Sequence, residues 1–320
     1  MPPSKQASSK SSRRDGPPRI AIGPDPEGGQ HWLRGAITAG GGQIVDVGDA
    51  QALMWTVPRE ALELEAVLEA NEQIEWVQLP YAGIEPFVHL VQDDRTWTCG
   101  KGIFAEPVAE LALTLALAGM RGLGTYIKST TWLGESGRNL IGGKVSILGG
   151  GGIACALVRM LKPFDCHVTV VRNRIEEMEA VDEVLAAERY VDALAGADLV
   201  VLALPLTAET EEMISLTELE MMESHAWIVN VARGKHIVTD DLVWALQNGV
   251  IGGAGLDVTH PEPLPDDHPL WTLPNCIITP HVGATLEMEE PLLADRITTN
   301  VRRFGKEKSL QGAVYPDLGY

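Results

Sequence analysis

Positive charge is scarce in this chain: 25 Lys and Arg face 44 Asp and Glu, a formal charge of −19. That balance repels the phosphate backbone of nucleic acids and the surface of anionic bilayers, so neither is expected as a partner. Although 45% of the residues are hydrophobic, no run approaches the roughly 18 consecutive apolar residues of a membrane span. Cysteine is sparse too. Cys99, Cys155, Cys166 and Cys276 lie far apart, without a CxxC or a Cys/His pairing, so neither a zinc site nor a disulfide scaffold is indicated and a reducing cytoplasm fits. The opening "MPPSKQASSKSSRRDGPP" lacks the apolar h-region of a signal peptide and the apolar face of a mitochondrial presequence. We read residues 1–18 as an unordered tail. No repeat of 20–50 residues is present.

What is there alternates. From "RIAIGP" onward, short apolar or β-branched runs ("QIVDV", "ALMW", "WVQL", "RTWT") are interleaved with helical patterns such as the one near 59–71. A second series begins at "KVSIL" (144–148) and continues through "HVTVV", "ADLVVLALP", "AWIVNVA", "IGGAGLDV" and "NCIITPH". Alternation of β and α predicts parallel sheets covered by helices, and the unbroken apolar strands predict burial on both faces. The fold class is α/β, and at 320 residues the chain exceeds the roughly 250–300 residues that one core supports, so two domains are expected. "AEPVAELALTLALAGMR" (105–121) is apolar nearly all round, the signature of a helix buried on more than one side.

The run "KVSILGGGGIA" fits the GxGxxG/A fingerprint. Gly149 permits the tight turn, Gly151 lets the backbone approach a pyrophosphate, and Ala154 keeps the helix close to the sheet; Gly152 and Ile153 open that helix and offer free N–H groups at its positive end. An acid to hold the ribose of NAD is due about 20 residues on. Arg172-Asn173-Arg174 stands there instead. Guanidinium groups hold a 2′-phosphate where a carboxylate would repel it, so NADP(H) is the expected cofactor, with NAD(H) possible.

Four further stretches, "VNVARGKHIVTDDLVWALQNGVIGGAGLDV", "PEPLPDDHPLW", "NCIITPHVGAT" and "AEPVAELALTLALAGMR", together resemble the D-isomer-specific 2-hydroxyacid dehydrogenases from about residue 76 onward. The resemblance implies two Rossmann-like domains: a flavodoxin-like substrate domain over 19–104 plus 287–320, and a doubly wound dinucleotide-binding domain over 105–286. It implies Arg233, Glu262 and His281 as the catalytic set. The chemistry requires such types. A guanidinium fork binds the carboxylate and ketone of a 2-oxo acid, an imidazole supplies the proton that accompanies hydride transfer, and a carboxylate beside it fixes its tautomer. The resemblance also places Ala232 and Asp257 at the cofactor, the latter against the nicotinamide carboxamide, and Tyr81, Ala82 and Gly83 ("PYAGIE") at the substrate. A small 2-oxo acid such as glyoxylate, hydroxypyruvate or phenylpyruvate is the implied substrate, and the assembly a homodimer with the helix at 105–121 in its contact. Transcriptional co-repressors share the family's motifs, which leaves a dinucleotide-sensing scaffold as the alternative function.

Overall fold

The computed structural model describes residues 16–25, 30–58 and 60–314; most of the segment read as a tail, residues 1–15, lies outside them. The chain divides into two compact units, Met1–Ile103 with Glu289–Tyr320, and Phe104–Met288.

The first unit is a five-stranded parallel sheet. Its elements are β1 (Arg19–Gly23), α1 (His31–Ala39), β2 (Gln43–Ile44), β3 (Ala52–Trp55), α2 (Ala61–Glu69), β4 (Trp76–Gln78) and β5 (Thr96–Thr98). The strand order is β2-β1-β3-β4-β5, the flavodoxin-like winding. Successive side chains on a strand face opposite ways, and this splits the apolar runs into two cores. Ala21, Leu53, Trp55 and Val77 pack with Leu64 and Leu68 of α2. Ile20, Ala52, Met54 and Trp76 face α1 and the later helix α8 (Leu286–Phe304) through Ile37, Ile297, Val301 and Phe304. Trp76 is fully buried yet satisfied, because its indole N–H donates to Thr98 Oγ1 at 2.7 Å.

In the second unit the chain runs α3 (Ala105–Met120), α4 (Leu123–Lys128), β6 (Lys144–Leu148), α5 (Gly152–Leu161), β7 (His167–Arg172), β8 (Glu183–Ala186), β9 (Leu199–Leu202), α6 (Leu216–Met221), β10 (Trp227–Asn230), α7 (Thr239–Asn248), β11 (Gly253–Leu256) and β12 (Cys276–Ile278). The seven strands lie in the order β12-β11-β10-β9-β6-β7-β8, all parallel. This is the doubly wound sheet expected from the alternating pattern, with its switch point between β6 and β9. Val145, Ile147, Leu199, Val201 and Val229 face α3 and α5; Leu148, Val200, Leu202 and Ile228 face α6 and α7. Each fully buried aliphatic side chain contributes about 1.5–3 kcal/mol.

Local signals set the helix ends. Ser215 and Glu218 form a capping box at α6, and α7 stops at Gly249, whose φ of 66° reverses the chain. α3 is packed closely against the sheet: a side chain at Gly119 would meet the Trp227 ring at 2.2 Å. Because all strands of this unit run the same way, the loops after β6, β9, β10, β11 and β12 emerge at one edge. That edge holds Gly149, Arg233, Glu262 and His281, the residues the sequence singles out.

Candidate active site

The glycine run leaves β6 at the switch point. Gly149 has φ 120°, and a Cβ there would lie 2.2 Å from the Ala203 carbonyl oxygen at the end of β9, so only glycine fits both the dihedral and the space. Its N–H donates to Val171 O at 2.9 Å, tying the turn to the end of β7. Gly151 caps α5 in an extended conformation, and no atom lies within 4 Å of a Cβ built on it. Gly152 and Ile153 begin the helix, and Ala154, fully buried, seats it on the sheet. The first-turn N–H groups of a helix have no intrahelical acceptor. Open space over Gly151 at the start of a helix fits a pyrophosphate.

Arg172 is the last residue of β7 and lies over the same loop: a Cβ on Gly150 would meet its Cβ at 2.7 Å and its Nε at 2.9 Å. The guanidinium therefore borders the glycine turn, while Asn173 and Arg174 follow as exposed residues.

Arg233, Glu262 and His281 all belong to the second unit. Arg233 follows β10 in extended conformation, and its Nη1 donates to Ala232 O at 2.8 Å. Two features hold this turn. The buried Asn230 accepts from Ala232 N at 3.0 Å and donates to Arg233 O at 2.9 Å. Gly234 presses against the backbone of Thr259, where a Cβ would come within 1.9 Å of the carbonyl oxygen. The arginine turn is thus docked on the loop that carries Glu262.

Glu262 and His281 meet directly. Glu262 Oε1 lies 2.8 Å from His281 Nδ1 across 19 residues of sequence, about half of the imidazole being exposed. A carboxylate takes a proton bond only from an N–H, so this contact assigns the Nδ1–H tautomer and leaves Nε2 for exchange with a bound molecule. His281 itself adopts a left-handed φ of 54°, and its N–H donates to Asp257 O at 2.8 Å.

Asp257 follows β11 beside the His281 turn. Its side chain is buried at 3% exposure. Oδ1 accepts from Thr279 Oγ1 at 2.6 Å and from Val282 N at 2.9 Å, and Oδ2 from Gly283 N at 2.9 Å. The carboxylate brackets the His281 turn. Asn230 and Thr279, which complete these turns, were not singled out in the sequence; an Asn closing an apolar strand just before an Arg-Gly turn is the signal that finds the first. Tyr81, Ala82 and Gly83 lie in the first unit, in the turn after β4, where Tyr81 O accepts from Gly100 N at 2.9 Å. Burial and then the Glu289 carboxylate push the Tyr81 phenol up, so it stays a neutral hydroxyl.

Among the described residues no helix is long and apolar enough to cross a membrane, and no group of three His, Cys, Asp or Glu side chains could hold a metal ion.

Several known proteins are similar to this chain. An uncharacterized protein in the proB 3′ region of Corynebacterium melassecola is 36% identical over 295 residues, covering 89% of this chain and 95% of that one. The glyoxylate reductase/hydroxypyruvate reductase of Homo sapiens is 38% identical over 191 residues, 57% of this chain and 58% of its own. A D-isomer specific 2-hydroxyacid dehydrogenase family protein from Aeromonas salmonicida superimposes with a TM-score of 0.79 at 29% identity, covering 94% of this chain and 99% of that one. Residues 111–283 match the family model of the D-isomer specific 2-hydroxyacid dehydrogenase NAD binding domain, and the chain belongs to that family of NAD(P)-dependent oxidoreductases.

Proposed function

We propose that this chain reduces a small 2-oxo acid of the glyoxylate or hydroxypyruvate class to its D-2-hydroxy acid, with NADPH as the preferred reductant. The observation that carries the reading is the His281–Glu262 contact at 2.8 Å, at the same sheet edge as Arg233 and the glycine loop. The human relative's name supplies the substrate class. Gly149, Gly151, Gly152 and Ile153 would hold the dinucleotide, with Arg172, Asn173 and Arg174 beside its 2′-phosphate. When bound, the dinucleotide supplies the hydride that reduces the ketone carbon.

The residues of the chain do the rest. Arg233 binds the carboxylate and polarises the ketone, since a planar fork can donate to both oxygens. His281 gives a proton from Nε2 to the developing alkoxide and takes it back in the oxidative direction. Glu262 stabilises the imidazolium and keeps Nδ1 protonated. Asp257 and Asn230 hold the two turns at fixed separation through the neighbouring strands β10 and β11, Asp257 N donating to Asn230 O at 3.0 Å. Ala232 borders the cofactor, and the resemblance assigns Tyr81, Ala82 and Gly83 to substrate binding.

A homodimer is part of the proposal. Leu123, Ile127, Trp132 and Leu133 are exposed along α4 and the stretch after it, Trp132 completely, and an apolar surface of this kind calls for a partner.

Turnover of a panel of 2-oxo acids with NADPH and with NADH, His281→Ala alongside, tests the reading. We expect turnover with NADPH that the substitution lowers by about 10²–10⁴-fold. Turnover unaffected by His281→Ala would refute the acid role, and dinucleotide binding without turnover of any acid would point to a sensing scaffold.

A further inference from the structure

His236 is fully buried, three residues beyond Arg233, and takes no part in the chemistry above. Both of its ring nitrogens face carbonyl oxygens: Nδ1 lies 2.8 Å from Thr210 O and Nε2 3.2 Å from Leu204 O. These two acceptors bound the loop that follows β9. The same loop is a wall of the glycine cradle, since a Cβ on Gly149 would lie 2.2 Å from Ala203 O and 3.1 Å from Leu204 N. Inside the loop, Thr210 Oγ1 accepts from Thr207 N and donates to Pro205 O, both at 2.8 Å, so a grip on Thr210 O is passed through a compact turn. The backbone of His236 joins the two sides as well: its N–H donates to Arg233 O at 3.2 Å, and its carbonyl accepts from Ile214 N at 3.0 Å.

We propose that His236 is a positioning residue that fastens the Leu204–Thr210 loop to the arginine turn and thereby sets the affinity of the glycine cradle for the dinucleotide. The inference rests on the cofactor reading given above.

A neutral imidazole carries one N–H, so it satisfies one of the two carbonyls. The shorter contact assigns that N–H to Nδ1 and makes Thr210 O the principal anchor. Burial, and to a lesser degree the Arg233 guanidinium, holds the imidazole below its usual pKa against the pull of the two carbonyls, which keeps it neutral near pH 7. The other charges on the adjoining segments are Glu209, inside the loop and beside Thr207, Lys235 and Glu211, ion-paired with each other at 2.8 Å, and Glu212, whose N–H donates to Lys235 O at 2.7 Å.

The test is titration of NADPH and NADH against wild-type protein, His236→Ala, His236→Asn and His236→Gln, without substrate, with amide exchange of residues 204–212 recorded on the ligand-free proteins. Asn can present its amide N–H near the place of Nδ1, and Gln near that of Nε2. We expect His236→Ala to weaken dinucleotide binding about tenfold, the loss of roughly one buried hydrogen bond, and to speed exchange in the loop. His236→Asn should restore most of both, His236→Gln little of either. Equal binding by all four proteins, or a fall in melting temperature with unchanged affinity and exchange, overturns the proposal and leaves the cofactor reading intact. Failure of the wild-type protein to bind either dinucleotide overturns both. If His236→Ala does not fold, the contrast between the Asn and Gln variants decides.

Discussion

Replacing Asp257 by Asn separates two roles that one carboxylate could have. The native side chain accepts three hydrogen bonds, from Thr279 Oγ1, Val282 N and Gly283 N, and is almost wholly removed from water. An amide keeps one acceptor oxygen. If that oxygen serves Thr279 and Val282, the NH₂ group is turned against the Gly283 N–H, donor against donor. Gly283 is buried, so its N–H loses about 1–3 kcal/mol, and the two surviving bonds lose the reinforcement of a full charge. The total is about 2–4 kcal/mol, which for a chain of 320 residues lowers the melting temperature by roughly 3–6 °C.

The functional consequence comes through His281, which lies between these donors with φ 54°. Left-handed backbone costs a non-glycine residue about 1–2 kcal/mol. With the bracket weakened, that cost is no longer offset and the turn relaxes toward ordinary dihedrals, taking the imidazole away from Glu262. The population in the productive geometry falls by the equivalent factor, about 5–30-fold, and kcat should fall with it while dinucleotide affinity changes less. The assay is steady-state kinetics on the best 2-oxo acid, with a binary dinucleotide titration and a thermal melt. An unchanged kcat together with a large loss of dinucleotide affinity would refute the bracket and favour a contact with the nicotinamide carboxamide.

Three other outcomes follow from single contacts. Arg172→Asp removes the guanidinium lying over Gly150 and should weaken NADPH about 10–100-fold while sparing NADH, measured by fluorescence titration; equal losses for both would show that Arg172 only packs the loop. Burial raises the Asp198 pKa, but the Lys144 N–H and then His225 outweigh it and leave the carboxyl below its ordinary value. Its folded pKa being the lower, Asp198 stabilises the fold above the unfolded value of about 3.8 and loses that contribution as pH falls through the folded one. Asp198→Asn should therefore melt lower than wild type near neutral pH, the two curves converging in acid, and parallel curves would count against the linkage. Burial pushes the Cys276 thiol up to about 12, so a thiol-specific disulfide reagent should label the exposed Cys155 in the native protein and Cys276 only on unfolding, with native labelling of Cys276 as the contrary result.

How much of this was legible in the sequence depends on the range of the interaction. Apolar runs such as "KVSIL" and "LVVL" announce buried parallel strands because burial on both faces removes the need for polar residues, and the structure places them as β6 and β9. β8, Glu183–Ala186, escaped because an edge strand of four residues, with Glu at its head and Ala at its end, carries neither a full run nor a clean alternation. The glycine turn was readable for a local reason: its dihedrals and its clearance from β9 are demands that only glycine meets. The direction of the Asp257 carboxylate was not. Its contacts with the turn after β12 depend on how β11 and β12 are registered, Leu256 opposite Ile278, which sets Thr279 and the following N–H groups beside residue 257.

The same dependence governs His236. In the sequence it is one histidine in "RGKHIV", with nothing to distinguish it from a surface residue. It acquires partners only because β9 lies next to β10, Leu202 opposite Asn230, so that the loop leaving one strand passes the turn leaving the other. Parallel strands bring their carboxyl ends to one edge in spatial rather than sequential order, and the loops there are coupled through side chains that no motif contains. A substitution at Thr210, 26 residues from His236, should accordingly act on the same cradle. Thr210→Val removes the hydroxyl that braces Thr207 and Pro205 while keeping the carbonyl that His236 grips. Combined with His236→Ala it should cost less than the two single losses added, because the second substitution finds the loop already released. Additive losses in dinucleotide affinity would mean that the two residues act on separate structures.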